Sequence, residues 1–171
     1  MGAFITIIIL SGLMSFSIGA NDAANALATS YGSKAAKLWL LLALGATFEF
    51  VGAVFCSGRV AGGLAYKMLP GLNEMPSHTV EMMMLAVCIA SFSFILISSL
   101  FGMPISGTHT VIGGLVGAGM AGMTAAAVNW NKFGMTVLSW FVSPILASTL
   151  AALLFIVICA FTLGGMGGTN E

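Results

Sequence analysis

The sequence predicts an all-α protein, a polytopic membrane helix bundle in which some helices are broken or re-entrant. Three observations predict it. Hydrophobic residues make up 59% of the 171-residue chain and charged residues only 6%, with a mean hydropathy of +1.09, whereas soluble domains carry roughly 25% charged residues. Too few charges exist to cover a water-facing surface. Apolar runs close to the roughly 20 residues that a helix needs to cross a bilayer recur along the chain, too long for strands and without the alternation of a membrane barrel. Finally, Gly19 and the segment Met103–Thr110 interrupt such runs with small and polar residues, as broken membrane helices do.

Spans are expected near residues 3–20, 38–57, 83–101, 111–128 and 133–163, followed by GGMGGTNE, residues 164–171, as a flexible tail or the start of a linker. The first run, MGAFITIIILSGLMSFSIGA, lacks the basic region of a signal peptide and passes directly into a polar motif, so it reads as part of the mature fold. Lys34 and Lys37 separate it from the second, and Arg59 through Glu81, including a solvated His78, separate the second from the third. In the fourth, Gly113 and Gly117 lie four apart, which permits close approach of a neighbouring helix. The fifth exceeds one untilted crossing and carries Pro144 near its middle, so it is a kinked span or a span preceded by a half-helix.

Cys56, Cys88 and Cys159 sit in apolar runs without CxxC spacing and read as small buried hydrophobes, neither a disulfide framework nor a zinc site. Five Lys plus Arg balance five Asp plus Glu, so the net charge is zero and there is no basic surface for a nucleic-acid partner.

Polar residues at hydrocarbon depth are expensive, and here they are few enough to name. The first cluster is GANDAANALATSYGSKA, residues 19–35. At roughly 100° per residue Asp22, Asn25, Thr29 and Ser33 fall in a sector of about 80°, with Ser11 and Ser15 on the same stripe if the helix is continuous. A helix starting afresh after Gly19, capped by Asn21 or Asp22, is the alternative. The second cluster, Met103-Pro104-Ile105-Ser106-Gly107-Thr108-His109-Thr110, joins proline, glycine and hydroxyls into a break and a new helix start. Such a start offers unpaired N–H groups and the positive end of a helix dipole, which suit an anion; an interfacial turn is the bland alternative. Glu49 lies inside the second span among apolar neighbours, so it is expected to be paired, protonated or bound to a cation. His109 could orient a hydroxyl, donate to an anion or cap the helix.

These residues resemble a known family. GANDAANALATSYGSKA is similar to the signature of the inorganic phosphate transporter family, PISGTHTVIGGLVGAG (residues 104–119) to its second element, and SWFVSP (residues 139–144) to the segment that follows. The resemblance implies a sodium- or proton-coupled phosphate symporter built from two inverted repeats, of which this chain would be the N-terminal half. The second half would come from the same full-length protein or from a homodimer partner. By position, Asp22 and Asn25 belong to the first element, Ser106, Gly107 and Thr108 to the second, and Glu49 matches an acid of the second helix. Phosphate is then expected at Asn25, Ser106, Gly107 and Thr108, with Glu49 as the coupling acid.

No Lys or Arg stands beside Asp22 and Asn25 or within residues 103–110 to neutralise an anion. Helix N-termini, hydroxyls and amides must supply the attraction, and a carboxylate near phosphate is repulsive unless a cation sits between them. Sodium on Asp22, Asn25 and Thr29 gives the acid a purpose. The expected function is therefore phosphate import by cation symport in a multi-pass protein of the lipid bilayer, most naturally the plasma membrane. The alternatives are a permease for sulfate or another oxyanion, and a non-transporting scaffold or channel subunit. A hydrolase using Ser106 and His109 lacks a third group near them to orient the histidine, so no enzyme is expected.

Overall fold

The computed structural model describes residues 2–166, which fall into two compact units, one ending at Asn129 and one beginning at Trp130. In the first unit, helix α1 spans Gly2–Gly32, α2 Leu38–Met68, α3 Ser77–Leu100 and α4 Gly107–Gly122, with short 3-10 turns at Pro70–Glu74 and Ala125–Ala127. The second unit is one helix, α5, Trp130–Met166. Every regular element among the described residues is helical, as composition and run length require.

Helix α1 runs unbroken for 31 residues through Gly19. A glycine weakens a helix by only about 0.5–1 kcal/mol relative to alanine, too little to interrupt one whose other residues are mostly apolar helix formers. The fresh start capped by Asn21 or Asp22 does not form. Beyond Gly32 the chain stops the helix with a left-handed residue, Lys34 at φ 58. The Lys34 N–H donates to the Tyr31 carbonyl at 3.0 Å and the Ala35 N–H to the Ser30 carbonyl at 3.1 Å. This is the Schellman pattern with lysine in the position that glycine occupies most cheaply.

Helix α2 outlasts its apolar run and closes with Lys67 in its last turn, where a cation complements the helix dipole. Pro70 at the start of the next turn fits because its missing N–H would find no acceptor there. Helix α3, 24 residues and therefore about 36 Å long, exceeds the 30 Å hydrocarbon core. Its buried residues Met83, Val87, Ser91, Ile95 and Ser98 repeat at three- and four-residue intervals along one stripe. It packs against both α1 and α4.

Helix α4 has only 16 residues, 107–122 and about 24 Å, starting four residues before the stretch expected at 111–128 and ending six before its end. The remainder turns through the 3-10 segment to Val128, which is buried. Among the described residues four helices are long and apolar enough to cross a membrane, Phe4–Gly32, Leu38–Gly58, Ser77–Leu100 and Trp130–Thr162. Helix α4 is thus a short, re-entrant-length element entered through a break.

Glycines bring α4 close to its neighbours, but not the pair expected. A Cβ at Gly113 or Gly117 would meet nothing within 4 Å. Gly114 faces α3 instead, where a Cβ would lie 3.2 Å from Val87 Cγ1 and 3.3 Å from Ser91 Oγ, and Gly122 lies against Met83. Gly119 is the tightest, because a Cβ there would collide with the Leu69 side chain. Spacing of four marks one face of a helix without saying which face meets a neighbour. Beside Gly119, Met68 and Leu69 are fully buried and Leu72, Leu115 and Val128 nearly so, and the Asn129 N–H donates to the Met68 carbonyl at 2.9 Å.

Helix α5 contains Pro144 within a single continuous helix. Its hydroxyls turn back onto its own carbonyls: Thr136 Oγ1 donates to Lys132 at 2.8 Å and Thr149 Oγ1 to Ile145 at 2.8 Å. Such back-bonding satisfies hydroxyls that face hydrocarbon. Gly164 to Met166 continue this helix, and residues 167–171 of the expected tail lie outside the described residues. Across both units large apolar side chains point outward, among them Phe16, Phe55, Phe101, Phe141 and Phe161, as a lipid-facing surface requires.

Candidate functional site

Two sequence clusters meet where the α3–α4 connection crosses the middle of α1. Asn21, only 8% exposed, makes the join. Its Nδ2 donates to Ser99 Oγ at 2.9 Å and to the Met103 carbonyl at 3.2 Å, while its Oδ1 accepts from the Ile105 N–H at 3.0 Å. The connection has to be extended here because Pro104 has no N–H and disfavours a helical conformation at Met103. Sequence reasoning weighed Asn21 only as a cap. Its signal was present, since an amide at hydrocarbon depth must find partners.

Next to this join stands Asp22, half-buried on α1. Gly107, the first residue of α4, is buried directly against it: a Cβ at Gly107 would lie 3.6 Å from Asp22 Oδ2 and 3.2 Å from Ile18 Cγ2. Glycine lets the helix start approach α1 closely; a Cβ here would be tight against Ile18 and in ordinary contact with the Asp22 carboxylate. Ser106 is the N-cap of α4, with extended backbone at φ −90 and ψ 117, and its Oγ accepts from the His109 N–H at 3.4 Å. Thr110 Oγ1 donates to the Ser106 carbonyl at 3.0 Å. The cap uses an acceptor lone pair of Ser106, so the hydroxyl proton stays available for an oxyanion. The N–H groups of Gly107 and Thr108 have no acceptor within the helix and point along its axis at the positive dipole end.

The expected residues separate as follows. Asp22, Ser106 and Gly107 are brought together. Asn25 is exposed one turn beyond Asp22 and donates to its Oδ1 at 3.5 Å. Thr29 follows on the same helix another turn on, exposed. Thr108 and His109 are exposed on the first turn of α4, and it is the backbone of His109, not its ring, that closes the cap. Glu49 faces Asp22 across a groove of about 590 Å³ between α1 and α2, lined also by Ser15, Gly19, Leu27 and Gly45. Ser11, expected on the same stripe, instead lies 3.9 Å from Cys88 Sγ on α3.

One carboxylate, a helix N-terminus capped by the Ser106 hydroxyl, and the Asn25 amide therefore lie close together. A carboxylate with neutral oxygens suits a hard cation; the capped N-terminus with a donor hydroxyl suits an oxyanion.

The chain is similar to known proteins in sequence and fold. The chain is 36% identical over 146 residues to a sodium-dependent phosphate transporter of Toxoplasma gondii, covering 84% of this chain and 17% of that protein. It is 35% identical over 159 residues to one of Plasmodium falciparum, covering 89% of this chain and 24% of that protein. A solved sodium-dependent phosphate transporter superposes with a TM-score of 0.86 at 33% identity, over 93% of this chain and 40% of that one. The chain thus spans well under half the length of each. Residues 18–165 match the model of the phosphate transporter family, and the chain belongs to that family.

Proposed function

We propose that this chain supplies one repeat of a secondary transporter that imports inorganic phosphate together with sodium. The observation that carries this reading is the contact between Asp22 and the first residue of α4, where a Cβ at Gly107 would lie 3.6 Å from the carboxylate. A dianion or monoanion at that N-terminus would meet Asp22 at short range. In a low-dielectric setting the repulsion is severe, and a cation held by Asp22 and Asn25 reverses its sign; Thr29, two turns further along the unbroken α1, lies about 10 Å from Asp22 and is too distant to share that ion. Phosphate then takes the Ser106 hydroxyl, the Gly107 and Thr108 N–H groups and Asn25. Each ligand improves the site for the other, which is the thermodynamic content of symport.

Sodium fits better than a proton on the donor set, since protonating Asp22 would remove the charge without supplying an attraction for phosphate. The relatives named sodium-dependent support the same choice. Glu49, across the groove from Asp22, is the second acid through which the coupling ion can pass. A second repeat, from the remainder of a longer chain or from another copy, closes the pocket from the opposite side, and the bilayer is that of the cell surface.

Radiolabelled phosphate uptake measured with and without a sodium gradient, for the unaltered protein and for Asp22→Asn, tests the reading. Sodium stimulation should vanish in Asp22→Asn while membrane insertion stays intact. Equal sodium stimulation in both would remove Asp22 from the cation site, and uptake driven by a proton gradient alone would replace sodium with protons. Excess sulfate that abolishes uptake would identify a broader oxyanion permease.

A further inference from the structure

Asn21 takes no ligand in the function above, yet both ends of its amide are engaged. Its two N–H donors and its carbonyl acceptor hold Ser99, Met103 and Ile105, all in or beside the connection between α3 and α4. The connection's first half is tied to α3 by its own backbone, with Gly102 N–H on the Ser99 carbonyl at 3.0 Å and Met103 N–H on Ser98 at 2.9 Å. Its second half, leading into the anion-binding start of α4, is held by Asn21 through Ile105. Ser99 is itself fixed, because its hydroxyl proton goes to the Ile95 carbonyl at 2.8 Å, which leaves a lone pair for Asn21. A side chain that donates twice and accepts once in one plane is needed, and leucine, of similar size, can do neither.

We infer that Asn21 is a positioning residue that fixes the distance between Asp22 and the N-terminus of α4, and so sets how strongly cation and anion reinforce each other. The inference rests on the function proposed above. Asn21 immediately precedes Asp22 in the same unbroken helix, so any slack in its bonds to the connection becomes slack between the two ligand sites. Coulomb coupling falls with that separation, whereas the binding groups themselves remain in place. The predicted signature is therefore a loss of mutual assistance between ligands, beyond a general loss of activity.

Two measurements on Asn21→Leu and Ser99→Ala test this. The first is the apparent phosphate KM at low and at saturating sodium, with Vmax normalised to protein in the membrane. In Asn21→Leu the KM at saturating sodium should rise about tenfold, the equivalent of one well-made hydrogen bond, and the ratio of the two KM values should fall toward one with Vmax within about twofold. Ser99→Ala should show the same change at about two- to threefold, having lost one partner of three. The second measurement is hydrogen exchange of residues 101–107 in nanodiscs, in which the Ile105 amide of Asn21→Leu should exchange at least about tenfold faster.

A wild-type KM ratio in Asn21→Leu, or unchanged protection of Ile105, overturns the assignment. So does a fall in Vmax with the KM ratio unchanged, which is the mark of a merely structural residue. If Asn21→Leu does not reach the membrane, Ser99→Ala decides alone, and an unaltered ratio there overturns it. Should the unaltered protein show no sodium-dependent phosphate uptake, the proposed function fails instead, and the exchange arm still decides positioning by whether Ile105 loses protection.

Discussion

Replacing Gly107 with alanine isolates the contact on which the proposed symport depends. The added Cβ would lie 3.2 and 3.3 Å from Ile18 Cγ2 and Cγ1 and 3.6 Å from Asp22 Oδ2. Ile18 is β-branched and stiff at χ1, so it yields a few tenths of an ångström at a cost near the lower end of overpacking, about 1 kcal/mol. Gly107 is the first residue of α4, so alanine recovers only part of the interior helix propensity of about 0.5–1 kcal/mol, and stability should change by about 1 kcal/mol or less. Ligand binding has no such compensation. A methyl at that point covers one side of the carboxylate and the N–H groups at the helix start, and losing one charge-assisted hydrogen bond costs roughly 1.5–3 kcal/mol, or about ten- to a hundredfold in affinity. Sodium activation and phosphate KM in proteoliposomes should therefore worsen at least about tenfold while the thermal midpoint, followed by tryptophan fluorescence in detergent, stays within a few degrees. Gly113→Ala, on the same helix with nothing within 4 Å of the new atom, is the control and should leave KM alone. A Gly107→Ala protein with wild-type KM for both ligands would refute the reasoning.

Other outcomes follow from the same geometry. Lys34→Gly should raise the unfolding midpoint, because a left-handed lysine at φ 58 costs about 1 kcal/mol that glycine does not; an unchanged or lower midpoint counts against the helix-end assignment. Gly119→Ala should destabilise by about 1–3 kcal/mol through its collision with the fully buried Leu69, and a paired Leu69→Ala should restore part of the loss in a double-mutant cycle. Ser106→Ala combined with Thr108→Val should weaken phosphate affinity far more than membrane yield; equal losses of both would make the segment a plain turn.

Composition and run length made the helical membrane fold legible, because hydrophobic segments of bilayer length have few other uses. The break before α4 was equally plain from Pro104, Ser106 and Gly107. What hid was three-dimensional. Gly19 looked like an interruption, yet one glycine in a 31-residue apolar helix changes little, and α1 continues through it. Gly113 and Gly117 had the spacing of a packing motif, whereas Gly114, Gly119 and Gly122 make the contacts, since the facing helix decides which side of a glycine-rich segment is used. Asp22 and Asn21 differ in how visible they are in a sequence. Charge drew notice to Asp22, while the neutral amide beside it, whose partners lie about 80 residues away along the chain, carries the bonds that unite the two motifs.

The close packing of α4 on α3 through Gly114 and Gly122 has a thermodynamic corollary. Where that seam lies in hydrocarbon, the two surfaces once parted would be wetted by acyl chains as apolar as their own residues. The transfer of apolar area out of water, which gives soluble proteins their large heat-capacity change and their curved stability profile, is then nearly missing from helix association. Dispersion at short range is left as the main attraction, so the strength of this seam should vary little between cold and warm membranes and depend chiefly on fit.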